Sequence, residues 1–127
     1  MAIQTLAVLP QQFNIHGMEP DEVIPQSVFN SDIYFIGKTG DQLSLVVPDS
    51  VEIDSVDIDT NWRVLELIGP LQLSMVGIMA QIGQVLARAK VSIFIVSTFD
   101  TDFFLVKDNK LSVAVSALRQ AGYTVND

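Results

Sequence analysis

A chain of 127 residues with 49% hydrophobic content is large enough for one packed core, or for two small units sharing one, and too short for a regulatory module joined to a full enzyme domain. With 15 acidic residues against 7 basic ones, the net charge of −8 repels phosphate backbones and anionic lipid head groups, so neither nucleic acid nor a membrane surface is an expected partner. No cysteine is present, which excludes disulfides and thiolate metal sites, and no cationic leader or bilayer-length apolar run occurs, so a cytoplasmic protein is the expectation.

In chain order, residues 3–9 and 13–16 read as extended. Pro20 and Pro25 leave room for only a short helical turn over residues 20–27. Residues 31–36 and 42–47 flank Lys38-Thr39-Gly40-Asp41 and predict a β-hairpin closed by a glycine-containing turn. Acidic residues and small turns over 48–60 then divide the chain near Asp57, giving expected units of 1–57 and 58–127. The acidic positions Glu52, Asp54, Asp57 and Asp59 alternate along this stretch and read as a solvated edge rather than a cation site.

The second half has a clearer pattern. Residues 62–68 form a Val, Leu and Ile-rich strand stopped by Gly69-Pro70. Met75, Ile78, Met79, Ile82, Val85, Leu86 and Ala89 then recur at helical spacing, with Gln81, Gln84 and Arg88 opposite, and Ser74 stands where a cap belongs. Residues 91–98 and 102–106 are β-branched and aromatic around a polar turn. A second helix starts near Asp108 or Asn109, carries Leu111, Ala114, Val115, Leu118 and Ala121 on one face, and ends at Gly122; residues 123–125 add a short strand. The order βαββαβ predicts a four-stranded antiparallel sheet with both helices on one face, the ferredoxin-like plait, in an α+β chain. The first half lacks a long helix and is mainly β.

The segments GPL, SMVGIMAQI, VSIFIVST and TDFFLVK, together with the run from Trp62 to Tyr123, resemble an ACT domain of the kind found in CASTOR-type arginine sensors and short bacterial relatives. The stretches LPQQFNIHGMEPDEVIP and FNSDIYFIGKTGDQLSLVVPDS resemble the divergent first ACT unit of the same proteins. The resemblance implies tandem ferredoxin-like units, the first divergent and truncated, similar to the regulatory part of aspartate kinases without a kinase attached. It further implies a homodimer that restores a four-unit assembly and an effector bound at an ACT interface.

An amino-acid effector needs an anion site for its carboxylate and acceptors for its ammonium. The first is expected at Ser74, Met75, Val76 and Gly77, where backbone N–H groups and the helix dipole favour negative charge. Gly77 there serves either close approach of a ligand or tight helix packing. The second is expected at Ser97, Thr98, Asp100, Thr101 and Asp102, with Asp102 the contact that the resemblance implies and a charge-assisted hydrogen bond its chemistry. Simple turn chemistry is the competing reading for both aspartates. His16 stands alone and makes a poor metal ligand; Met75 and Met79 read as core, and Trp62 as an interface anchor. No catalytic constellation or cofactor site is visible, so the expectation is a non-catalytic module that binds a free amino acid or related small metabolite and signals to an unidentified protein target; a structural oligomerisation module without a ligand is the alternative.

Overall fold

The computed structural model describes residues 4–68 and 76–127, and the chain separates into two compact units, Gln11–Trp62 and Met1–Pro10 with Arg63–Asp127. The expected boundary at Asp57 therefore differs from the one that the contacts draw. The acidic stretch is not all linker, because β5 runs from Asp57 to Ile68 and its first residues pair with a strand of the earlier unit. Extended backbone whose N–H and C=O groups are bonded to a neighbour is a strand whatever its side-chain charges.

In the unit Gln11–Trp62, β2 (Phe13–Met18) lies between β4 (Leu43–Pro48) and the start of β5, with β3 (Phe35–Lys38) outside β4. The β3–β4 hairpin is as expected, closed over residues 39–42 by Thr39, whose N–H donates to the Gln42 carbonyl at 2.9 Å and whose hydroxyl accepts from the Asp41 and Gln42 N–H groups. The turn expected after Pro20 is α1 (Gln26–Phe29), which begins directly after Pro25. Met18, Val28, Leu43, Leu45 and Val47 form the core, with Val51 and Ile53 from the following segment packed on it. The pairing of β2 with β5 slips between Phe13 and Ile15, and Asn61 beside the slip takes φ +67°, the left-handed conformation that asparagine tolerates.

In the other unit the strands run β6 (Phe94–Ser97), β7 (Asp102–Lys107), the second part of β5, β1 (Thr5–Val8) and β8 (Thr124–Asn126). The sheet thus has five strands rather than four. β1 lies antiparallel to β5 and parallel to β8, between two strands that the βαββαβ order alone would make neighbours. Helices α2 (Ile78–Arg88) and α3 (Leu111–Gln120) share one core with the sheet, built from Leu6, Leu65, Leu67, Ile82, Leu86, Phe104, Val106, Leu118 and others. One shared core places both helices on the same face, as the periodicity implied. Alternate residues Val64, Phe103 and Leu105 are also buried.

Both helices end with hydrogen bonds of the Schellman type. Val91 N–H reaches Leu86 C=O at 3.0 Å, with Lys90 at φ +61°, and Tyr123 N–H reaches Leu118 C=O at 3.0 Å, with Gly122 at φ +100°. The second helix starts later than expected, since Asp108–Lys110 make a 3-10 turn ahead of Leu111.

Candidate functional site

Helix α2 begins at Ile78, and its N-cap is Gly77 at φ +80°, not Ser74. Ser74 and Met75, with Gly69 and Pro70, lie outside the described residues. A Cβ on Gly77 would meet nothing within 4 Å, so tight packing does not account for this glycine; its backbone conformation does. No side chain caps the helix, and no acid occupies its first turn. The first intrahelical bond runs from Gln81 N–H to Gly77 C=O at 2.9 Å, which leaves the N–H groups of Ile78, Met79 and Ala80 ahead of the ladder. Val76 is 91% exposed, and Met79, expected in the core, is exposed as well, because α2 turns Ile78, Ile82, Val85 and Leu86 toward the core instead.

The β6–β7 turn is held by its own hydroxyls. Ser97 and Asp102 face each other as the last cross-strand pair, and the Ser97 hydroxyl donates to Asp102 Oδ1 at 2.5 Å. Thr98 N–H donates to Thr101 C=O at 2.9 Å, while Thr98 Oγ1 accepts from the N–H groups of Asp100 and Thr101 at 3.3 Å each. The Thr101 hydroxyl donates to Leu67 C=O at 2.5 Å, which fastens the turn to the end of β5. The three hydroxyls are thereby engaged within the protein. Asp102 keeps its second oxygen, Oδ2, and Asp100 projects into solvent at the turn.

These bonds gather Ser97, Thr98, Thr101 and Asp102 beside the end of β5. No described hydrogen bond runs between this turn and Val76 or Gly77. Three clefts are described elsewhere: about 550 Å³ along α3 near Arg119 and Asp127, about 380 Å³ between Ala89 and α3, and about 440 Å³ beside α1. None of the three includes an expected site residue. In the first, the Arg119 guanidinium already donates to Val125 C=O at 2.6 Å and to Asp127 at 3.2 Å. Among the described residues no group of three or more acidic, histidine or cysteine side chains is placed to hold a metal ion.

Residues 57–120 match the ACT domain family. The chain belongs to the ACT domain family. Protein Atu0741 from Agrobacterium tumefaciens is 28% identical with a TM-score of 0.89, covering 98% of this chain and 93% of that one. The regulatory subunit of aspartate kinase from Thermus thermophilus, in a ligand-free form, has the same fold at 16% identity and a TM-score of 0.68, over 96% of this chain and 99% of that subunit. Aspartate kinase from Clostridium acetobutylicum matches at 17% identity and a TM-score of 0.71, over 95% of this chain but only 36% of the enzyme. No curated protein sequence matches the chain. This ACT-domain protein is therefore similar in fold to the regulatory domains of aspartate kinases, and no described helix is long and apolar enough to cross a membrane.

His16, read from the sequence as a strand or surface residue and a poor metal ligand, is a buried polar residue of this ACT-domain protein. His16 is 1% exposed, and its Nδ1 lies 2.8 Å from the Ser55 hydroxyl. Burial pushes the imidazole below its ordinary pKa range. The signal for its burial is its place two residues from Met18, on the same face of a strand.

Proposed function

We propose that this ACT-domain protein is a non-catalytic regulatory module that binds a free amino acid or related small metabolite at an interface between ACT units of a homodimer and signals to a protein in trans. The observation that carries this reading is the β6–β7 turn. Thr98 and Thr101 spend their hydroxyls on backbone groups and Ser97 spends its own on Asp102 Oδ1, so Asp102 offers a positioned carboxylate oxygen suited to an ammonium, and Ser97 and Thr101 fix the geometry rather than touch the ligand. The uncapped start of α2 at Gly77 supplies the complementary donors for a carboxylate, with Ser74 and Met75 included by their place in sequence. The regulatory character of the Thermus thermophilus subunit supports the assignment by likeness of fold.

A tandem arrangement is part of the proposal. In the unit Gln11–Trp62 the strand order β3-β4-β2-β5 is the one that a βαββαβ chain adopts, with the segment over residues 49–56 standing where the second helix would be. This order supports reading the unit as a divergent and truncated first ACT unit. It is inserted in the chain between β1 and the rest of the second.

Thermal denaturation with each of the twenty amino acids tests the reading, since a ligand that binds the native state raises apparent stability by RT ln(1 + [L]/Kd). One or a few amino acids are expected to raise Tm, and Asp102→Ala to abolish that rise. Absence of any shift at millimolar concentration overturns it. The alternative, an interaction module without a ligand, draws on the exposed Phe99 and Val76, the first at the turn's tip and 80% exposed. Under that reading Asp102→Ala changes nothing, whereas Phe99→Ser disrupts self-association.

A further inference from the structure

The Ser55 hydroxyl has one proton, and it donates it to the Asp57 carbonyl at 2.9 Å. Its oxygen, 2.8 Å from His16 Nδ1, is therefore the acceptor, and the imidazole carries its hydrogen on Nδ1. That leaves Nε2 as a buried lone pair, and no described protein group bonds to it. Protonation would create a charged N–H at that atom, inside a unit whose core is Met18, Val28, Leu43, Leu45 and Val47.

The cover over this face comes from the segment over residues 49–56. Val51 and Ile53 pack on the core, and Ser55 closes the segment onto His16. Remaining backbone ties are few: Asp49 N–H to Gln12 C=O at 2.8 Å and Val51 N–H to Pro48 C=O at 3.0 Å, both at the segment's start. The segment has no helix or strand of its own. It is the element that opens at least cost.

We propose that His16 is a proton-operated latch that keeps the segment over residues 49–56 closed on its unit while neutral and releases it when protonated. Titratable groups are absent from β4, α1 and the rest of β2; β5 brings Asp57 and Asp59, and the segment brings Asp49, Glu52 and Asp54. These five carboxylates are exposed to solvent, which screens their pull on the buried ring, so desolvation prevails in the closed state. Once the segment lifts, the imidazolium gains both water and acidic neighbours. Protonation therefore favours the open form twice over. The same segment supplies Ser50, Val51 and Glu52 to one wall of the 440 Å³ cleft whose other wall is Ser27, Asn30 and Ser31, so release reshapes that cleft.

The direction follows from linkage. A histidine whose closed-state pKa is lowered binds its proton more readily when open, so closure is complete above about pH 6.5 and is lost as pH falls toward the closed-state value. As the chain has a single histidine, the response between about pH 8 and about pH 5 is assignable. Two measurements on the intact chain test the latch. Nitrogen-correlated NMR at about pH 8 is expected to show the Nδ1–H tautomer, with titration below the ordinary histidine range. Amide hydrogen exchange, corrected for intrinsic rates, is expected to lose protection at Asp49 and Val51 on acidification while Phe104 and Leu118 stay protected. His16→Leu and Ser55→Ala both delete the His16–Ser55 bond, so each should lower that protection at about pH 8, and His16→Leu should in addition remove its dependence on pH. An Nε2–H tautomer, titration at or above the ordinary value, or an unchanged pH response in His16→Leu overturns the proposal.

Discussion

Glycine at position 77 is explained by one dihedral angle. With φ at +80° and open space where a Cβ would project, Gly77→Ala is expected to cost about 1 kcal/mol through backbone strain alone, read from urea denaturation. The larger Gly77→Leu should cost no more, because nothing stands within 4 Å to clash with. Lys90 presents the opposite case. It holds φ +61° at the end of α2 without being glycine, so Lys90→Gly should stabilise the protein by up to about 1 kcal/mol in the same assay. At the candidate site, Asp102 and its turn were identifiable from residue type and position, but the division of labour was not. Only the tertiary structure shows that the hydroxyls of Ser97, Thr98 and Thr101 are engaged within the protein, with Ser97 bonded to Asp102 Oδ1. If that division holds, Ser97→Ala should weaken effector binding without abolishing it, whereas Asp102→Ala removes it, as titration calorimetry with the responding amino acid would show.

Strand β1 is the element whose role the pattern of residues conceals. Four residues with one fully buried side chain, Leu6, lie between β5 and β8, whose residues follow more than fifty positions later. Leu6→Ala is expected to destabilise the unit that contains α2 and α3 by roughly 2–5 kcal/mol, as a large-to-small change in a packed core does, with chemical denaturation as the measure. Were β1 part of the earlier unit, the loss would appear in the amide exchange of β2 and β4 instead. The helices and the β6–β7 hairpin were legible because their periods and breakers are local: Ile82, Leu86, Ala114, Val115 and Leu118 are buried as their spacing required. The acidic start of β5 was read as a linker since Asp57 and Asp59 lie on exposed positions, and only the pairing with β2 identifies it as strand.

For the molecule as a whole, the proposed dimer makes a concentration-dependent prediction. Sedimentation should show self-association that persists in Phe99→Ser, whereas the alternative without a ligand places that 80% exposed side chain in the contact. Charge was readable at once, because a net charge of −8 disfavours anionic partners whatever the fold. The ACT order βαββαβ was likewise readable, since each helix and strand after residue 61 carries its own periodicity in a contiguous run. Tertiary structure alone decided which segments share a core. Insertion of β1 between β5 and β8, the boundary inside a continuous strand, and the burial of His16 against Ser55 all depend on partners distant in sequence. Local propensity carries no record of such partners; they are chosen when backbone hydrogen bonds and apolar surface are satisfied together.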